Sequence, residues 1–153
     1  MLSAHSHHGG GFDLVISCDN SLPHLLTDEN IFAALKQMFD CARAGGGCLV
    51  TIRDYEQEKR GKSILKPYGV RVEGDNRFVI FQIWDFEGDI YDLTMYFVKE
   101  DLYSKRVTTE TMYSRYYAIS TAKLVRLMED AGFQRVKKVD GYYQPVLLGS
   151  IPA

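Results

Sequence analysis

The chain has 153 residues, of which 46% are hydrophobic and 25% are charged, and its formal net charge is −2. These values are typical of one soluble globular domain. Since positive charge is not in excess, the composition argues against sequence-independent binding to nucleic acid. No apolar run approaches the roughly 20 residues of a membrane-spanning helix. We therefore expect a soluble, cytoplasmic protein that binds neither nucleic acid nor a membrane.

The first eleven residues form a segment rich in glycine, serine and histidine, and we predict a flexible arm over residues 1–11. Its histidines have no acidic or cysteine ligand near them in sequence, so we expect no metal site. The three cysteines, Cys18, Cys41 and Cys48, form no CxxC motif. We expect them to be buried, reduced thiols.

A strand and an amphipathic helix follow this arm. The apolar run Phe12–Ser17 predicts a short buried strand that ends in a polar loop. Apolar residues at spacings of three and four predict a helix over Asp28–Ala44. Thr27 or Asp28 is the expected N-cap, and Gly45 the expected C-cap.

A second strand, predicted over Cys48–Ile52, completes a strand–helix–strand unit. Such a unit implies that its two strands are parallel and lie next to each other in the sheet. The middle of the chain is rich in β-branched and aromatic residues. There we predict an inserted antiparallel β meander at about 64–117, with strands over Arg77–Trp84, Tyr91–Lys99 and Arg106–Tyr117.

The chain closes with a helix and two strands. Ser120 or Thr121 is the expected N-cap of this helix, and Gly132 is expected to end it. The final strands are predicted near Arg135–Val139 and Gln144–Ser150. The whole order predicts an α/β layered sheet that is one continuous domain over residues 12–153.

Two loop sequences carry a resemblance to a known family. The stretch FDLVISCDNSLPHL and the later RAGGGCLVTIRDYE are similar to the fourth and fifth strands of class I S-adenosylmethionine-dependent methyltransferases, most closely of the glycine and sarcosine N-methyltransferase type. The matching motifs are Asn20-Ser21-Leu22-Pro23-His24 and Arg53-Asp54-Tyr55. Weaker matches are Tyr116-Tyr117 and Tyr143-Gln144-Pro145. The resemblance implies the second, C-terminal half of a Rossmann-like methyltransferase sheet with S-adenosylmethionine as cofactor.

The resemblance also implies site residues at the carboxyl ends of the strands, where open α/β sheets bind ligands. The implied cofactor-binding residues are Cys18, Asp19, Asn20, Ser21 and His24, and the implied substrate-binding residues are Asn20, Arg53, Tyr117 and Tyr143. Arg53 would hold the carboxylate of a glycine-like acceptor as a bidentate pair. We assign no catalytic residue, because methyl transfer to an amine depends mainly on positioning.

Each implied site residue also has an ordinary structural explanation. Arg53 is equally well explained as a surface arginine paired with Asp54 or Glu56. Asn20 and Ser21 are common turn residues, His24 is nearly as well explained as a hydrogen-bonded structural histidine, and any one of ten tyrosines is more often a packing residue.

The family places its cofactor on a glycine-rich turn between its first strand and helix. The glycine runs here, 9–11 and 45–47, precede strands instead. We therefore expect a truncated or split methyltransferase for a small amine or amino-acid-like acceptor, not active alone. The alternative is a non-catalytic, methyltransferase-derived oligomeric binding module.

Both hypotheses imply a partner. In the family the strand that resembles Phe12–Ser17 pairs with the first strand, so here its edge is expected to be unpaired. We expect a homodimer joined near this edge, or a complementing half-domain.

Overall fold

The computed structural model describes residues 1–153 and divides them into two compact units. The first unit comprises Met1–Glu58 and Tyr117–Ala153, and the second comprises Lys59–Tyr116. Each of two four-stranded sheets belongs essentially to one unit. None of the helices is both long enough and apolar enough to cross a membrane.

The helices are α1 (Ala4–His8), α2 (Asp28–Cys41) and α3 (Thr121–Asp130), with a short 3-10 helix at Leu22–Leu25. The strands are β1 (Phe12–Ser17), β2 (Ala42–Thr51), β3 (Ile64–Glu73), β4 (Asn76–Glu87), β5 (Ile90–Asp101), β6 (Val107–Tyr117), β7 (Gln134–Val139) and β8 (Val146–Ser150). The helix α1 lies within the arm predicted to be flexible.

The sheet of the first unit has the strand order β1-β2-β8-β7. Its β1 and β2 are parallel, which confirms the predicted crossover. Strand β8 runs antiparallel to β2, with Val146 opposite Thr51. Because β8 is reversed, the segment that precedes it lies at the carboxyl end of β2. This sheet and the separate antiparallel sheet confirm the predicted partial Rossmann-like α/β fold with an inserted antiparallel β meander.

The helix α2 begins at its predicted residue, with Thr27 as its N-cap. It ends at Cys41 instead of Ala44, because the backbone of Ala42 is already extended and begins β2. The predicted C-cap at Gly45 is therefore wrong. Gly45 lies inside β2 with a φ of 70°, where the pairing between β1 and β2 is irregular. The helix α3 begins as predicted, since the Ser120 side chain accepts a hydrogen bond from its first turn.

The helices cover only one face of the first sheet. Leu35 of α2 and Leu124 of α3 are fully buried, as are Val50 and Leu147, which pair across β2 and β8. The alternate residues of β1 are open to solvent, with Leu14 54% and Ile16 60% exposed. β1 is therefore an edge strand with an uncovered apolar face. Such a strand is unusual in a protein without a partner, because parallel strands are normally covered on both faces.

The second unit contains four antiparallel strands in the order β3-β4-β5-β6, not the three predicted. The missed strand is β3. It contains Pro67 and Gly69, and its pairing with β4 is irregular between them, so the period-two alternation that marks a strand is broken. Trp84 of β4 is fully buried, and its indole N–H donates to Gln82 Oε1 at 2.8 Å.

We expect Gly46→Ala to lower the free energy of unfolding by about 1–3 kcal/mol, the usual effect of overpacking. An added Cβ at Gly46 would lie 2.9 Å from the Arg43 carbonyl oxygen, 3.0 Å from that of Asp13 and 3.2 Å from that of Phe12. Backbone oxygens have little room to move. Urea denaturation measures the change, with Gly69→Ala as control because a Cβ there meets nothing within 4 Å. Equal stability of the two variants would contradict this account.

Candidate functional site

The loop after β1 is tied to the end of β2 through its backbone. Asp19 and Asn20 both have left-handed backbones, with φ of 55° and 61°. The Asp19 N–H donates to Thr51 Oγ1 at 2.8 Å, and the Asn20 N–H donates to the Thr51 carbonyl at 3.2 Å. The carboxyl ends of the two parallel strands therefore form one connected edge.

The Asn20 side chain connects this loop to the segment after β2. It is buried, its Nδ2 donates to the Tyr55 hydroxyl at 2.6 Å, and its Oδ1 accepts from the Arg53 backbone N–H at 3.0 Å. Both functional groups of the amide are thus engaged within the protein. The two family-like loop motifs therefore fix each other's conformation.

A polar pocket of about 480 Å³ lies beside this connection. Its walls come from the segment after β2 and the segment before β8, and they are formed by Arg53, Asp54, Gln57, Glu58, Asp140, Gly141, Tyr142, Tyr143, Gln144 and Pro145. The reversed direction of β8 brings these two segments together. We call this cavity the acidic pocket.

Carboxylates outnumber cations in the acidic pocket. Asp54, Glu58 and Asp140 line it against one cation, Arg53. Arg53 Nη1 lies 3.4 Å from Glu58 Oε1, and these side chains are 29% and 16% exposed. Lys138 lies outside the lining, 3.3 Å from Asp140 and 4.0 Å from Asp54. Even counting Lys138, the cluster has a formal charge of −1, which favours a cationic ligand.

A smaller recess of about 340 Å³ adjoins the acidic pocket, since Tyr142, Tyr143 and Gln144 line both. Asp19 also lines the recess, and its Oδ1 accepts from Gln144 Nε2 at 3.3 Å. A carboxylate beside two tyrosine rings can attract a cation that also carries apolar groups. The sulfonium of S-adenosylmethionine is such a group, so these residues fit part of the predicted cofactor.

The structure brings together only some of the residues that the resemblance implied. Arg53 and Tyr143, both predicted to bind the substrate, line the acidic pocket. Asp19, predicted to bind the cofactor, lines the neighbouring recess. Ser21 and Cys18 line neither cavity: the Ser21 hydroxyl donates to the Cys18 carbonyl at 2.5 Å.

Cys18 itself is exposed, which contradicts the expectation of a buried thiol, because it lies just beyond the strand end. Cys41 and Cys48 are buried, and burial raises the pKa of the Cys48 thiol to about 12. His24 is exposed in the 3-10 helix and lines neither cavity.

Tyr117 lines neither cavity and belongs to a separate charged network. Its hydroxyl donates to Asp28 Oδ1 and accepts from Lys123 Nζ, both at 2.7 Å, while Lys123 also lies 3.0 Å from Asp28 Oδ2. Burial acts to raise the pKa of Asp28, but hydrogen bonds from Tyr117 and Lys123 outweigh it and hold that pKa below its ordinary value. The network joins the start of α2 to the start of α3.

We expect Tyr117→Phe to lower the free energy of unfolding by about 1–2 kcal/mol, because it removes a buried hydroxyl from this network. A lowered pKa means that the stability contributed by Asp28 is complete above the ordinary carboxyl pKa and is lost as the pH falls through the lowered value. The variant should therefore lose less stability than the parent below about pH 4. Urea denaturation across this range measures both effects, and parallel pH profiles would contradict the assignment.

Sequence reasoning missed Glu58 and Asp140, the carboxylates that give the acidic pocket its charge. Asp54 was visible because it belongs to the Arg53-Asp54-Tyr55 motif shortly after β2. Asp140 precedes a strand, and its placement depends on β8 running antiparallel to β2. A search for acidic residues at both ends of the predicted final strands would have found it.

The fold is similar to part of the fold of solved S-adenosylmethionine-dependent methyltransferases. No known family model matches the sequence, and no curated protein matches it. Among solved structures, DesVI of Streptomyces venezuelae is similar, with a TM-score of 0.80 and 20% identity over 95% of this chain and 61% of that one.

Two further solved structures are similar. CalS10 of Micromonospora echinaspora, described as an amino pentose methyltransferase bound to S-adenosylmethionine, has a TM-score of 0.79 and 12% identity over 93% of this chain and 59% of its own. The sugar N-methyltransferase KedS8 of Streptoalloteichus has a TM-score of 0.77 and 13% identity over 95% of this chain and 58% of its own. The chain thus spans about three fifths of the structures it matches.

Proposed function

We propose that this chain forms the acceptor side of an S-adenosylmethionine-dependent methyltransferase that methylates the nitrogen of a small polar amine. The observation that carries the proposal is the acidic pocket, which opens at the carboxyl end of β2 in a methyltransferase-like sheet. Ligands of open α/β sheets bind at this end. The solved neighbours support methyl transfer as the chemistry.

The proposed acceptor is an amine with hydroxyl groups and no carboxylate, such as an amino sugar. Three carboxylates favour an ammonium group, while Gln57 and Gln144 offer amides for hydroxyl groups. CalS10 and KedS8 are described as acting on an amino pentose and a sugar amine. The glycine- or sarcosine-like acceptor stays a second prediction. It is less favoured because the Arg53 guanidinium, its expected clamp, already pairs with Glu58.

S-adenosylmethionine would supply an electrophilic methyl group on its sulfonium. The residues of this chain bind and orient the acceptor. Glu58, Asp54 and Asp140 attract the ammonium form, but transfer needs the unprotonated nitrogen. Since nearby carboxylates raise the pKa of a bound ammonium, the rate should rise with pH until that proton is lost.

The predicted cofactor contacts at Cys18, Asp19, Asn20, Ser21 and His24 belong to the same proposal. The open edge of β1 lies directly before them, and Leu14 and Ile16 leave its face uncovered. We propose that a complementing half-domain covers this edge and completes the cofactor site. Such a domain can lie on the same polypeptide or on another one.

Titration of the isotopically labelled chain, followed by nuclear magnetic resonance, tests the acceptor class. A methyl glycoside of an amino sugar should shift backbone signals at residues 53–58 and 140–145 in a saturable manner. Its N-acetyl derivative keeps the ring but loses the charge, and glycine adds a carboxylate, so both should bind at least tenfold more weakly. Equal binding of the N-acetyl derivative, or no binding by any of the three, would refute the proposed acceptor site.

The second candidate function is a non-catalytic, methyltransferase-derived binding module. The observation that favours it is the open edge and face of β1, which suit association without chemistry. It predicts stable association and no affinity for S-adenosylmethionine. Saturable signal shifts on titration with S-adenosylhomocysteine would reject it.

A further inference from the structure

Lys138 connects the two walls of the acidic pocket from outside its lining. It lies on β7, where it pairs with Leu147 of β8. Its Nζ lies 3.3 Å from Asp140 Oδ1, on the segment before β8, and 4.0 Å from Asp54 Oδ2, on the segment after β2. One cation therefore lies beside two of the three carboxylates that would attract the ammonium group of an acceptor.

Asp54 is the more enclosed of these two carboxylates. Its side chain is 20% exposed, against 79% for Asp140. Its Oδ2 accepts a hydrogen bond from Gln57 Nε2 at 2.8 Å, and its Oδ1 accepts one from the Glu56 backbone N–H at 3.3 Å. Charges in such a partly buried position act on each other and on a ligand more strongly than charges in bulk water do.

The positive charge of Lys138 bears on the chemistry that the proposed function requires. An amine accepts a methyl group only through its unprotonated nitrogen, whereas nearby carboxylates favour its ammonium form. A pocket with carboxylates alone would therefore bind mainly the form that cannot react. A cation beside the same carboxylates offsets their charge and disfavours the ammonium form.

Other titratable and charged groups surround the acidic pocket and its adjoining recess. Those of the segment after β2, of β7 with the segment before β8, and of the loop after β1 are Arg53, Asp54, Glu58, Lys138, Asp140, Tyr142, Tyr143 and Asp19. Glu56 is directed elsewhere, since its Oε2 accepts from Thr121 Oγ1 at 3.4 Å. Because Arg53 lies beside Glu58, Lys138 is the cation that offsets Asp54 and Asp140.

We propose that Lys138 is a positioning residue that lowers the pKa of the bound acceptor amine, so that more of the amine is unprotonated at neutral pH. This role rests on the proposed function, because it requires an amine in the acidic pocket. An ammonium group bound between Asp54 and Asp140 would lie within roughly 6 Å of Lys138 Nζ. At an effective dielectric constant of about 20, a unit charge at this distance shifts a pKa by about two units, and salt reduces the shift to about one.

Lys138→Met tests this role, because methionine keeps a straight side chain and removes the charge. The pKa of the bound amine should rise by about one unit, so the ammonium form should bind about tenfold more tightly. The probe is the methyl glycoside of an amino sugar with an isotopically labelled nitrogen, whose signal is followed across pH at saturating protein. Calorimetry at about pH 6, where the free amine is protonated, gives the affinity. A merely structural link between the two walls predicts the opposite sign, namely weaker binding.

Two control variants separate local charge from total charge. Lys137→Met removes the same charge from the neighbouring residue, which pairs with Leu148 and lies on the opposite face of β7. Lys138→Arg keeps the charge at the same position. Both variants should bind the amine with the parental affinity and the parental bound pKa. If Lys138→Met is unfolded by circular dichroism, Lys138→Gln takes its place.

The outcomes distinguish this role from the proposed function itself. If the parent and Lys138→Met bind the amino sugar with the same affinity and the same bound pKa, the role of Lys138 is overturned and the proposed acceptor stands. Weaker binding by Lys138→Met, or an equal change in Lys137→Met, would also overturn it. Binding by neither the parent nor Lys138→Met would refute the proposed acceptor and this role together.

Discussion

Asn20→Ala should lower the free energy of unfolding by about 3–4 kcal/mol, the largest stability effect that we expect in the first unit. The change removes two hydrogen bonds of a buried amide, one to the Tyr55 hydroxyl and one from the Arg53 N–H, at about 1–1.5 kcal/mol each. It also places alanine in a left-handed backbone, which costs roughly 1 kcal/mol more than asparagine does there. Urea denaturation measures the sum.

Asn20→Gly separates the two contributions, because glycine adopts the left-handed backbone without strain. This variant should recover about 1 kcal/mol relative to alanine and still lack both hydrogen bonds. If the alanine variant is as stable as the parent, the connection between the two loops does not hold the site together.

Glu58→Gln should weaken binding of an amino sugar at least tenfold, equivalent to about 1.4 kcal/mol. The change has two consequences in the same direction. It removes one of three carboxylates that attract the ammonium group, and it removes the negative charge of Glu58 beside Arg53, so that the Arg53 guanidinium repels the ligand more strongly. Titration by nuclear magnetic resonance or calorimetry gives the affinity.

Asp13→Asn is the matched control for Glu58→Gln. Asp13 also pairs with an arginine, Arg43, at 2.6 Å, but it lies on β1 outside the acidic pocket. Its variant should bind the amine like the parent. Equal losses in both variants would mean that total charge, rather than the acidic pocket, controls binding, and an unchanged Glu58→Gln affinity would place the amine elsewhere.

Local signals in the sequence predict the elements that depend on them. Thr27 and Ser120 cap the two long helices where expected, because a short polar side chain beside an apolar period is a local feature. The end of α2 could not be predicted from Gly45, since pairing with β1 draws the chain into β2 three residues earlier. Likewise, Pro67 and Gly69 interrupt the sequence pattern of a strand, so β3 could not be predicted. It forms because it pairs with β4.

The candidate site depends more strongly on tertiary structure. Asn20 and Arg53 could be placed at one edge because parallel strands share their carboxyl ends. The carboxylates of the acidic pocket meet only through the reversed β8. Tyr117 was assigned to the substrate by resemblance, and the structure places its hydroxyl between Asp28 and Lys123. Its proposed contact with a ligand therefore requires a further measurement.

The most direct test of the methyltransferase assignment is titration of the isotopically labelled chain with S-adenosylhomocysteine. The chain alone lacks the cofactor contacts that the proposed half-domain would supply, each worth about 1.5–3 kcal/mol if charge-assisted, so we expect binding in the millimolar range. The predicted result is saturable shifts of signals from residues 18–21 and 53–55, with the signals of the second unit unchanged. Shifts confined to the second unit, or no shifts at saturating ligand, would contradict a cofactor-binding role for this site.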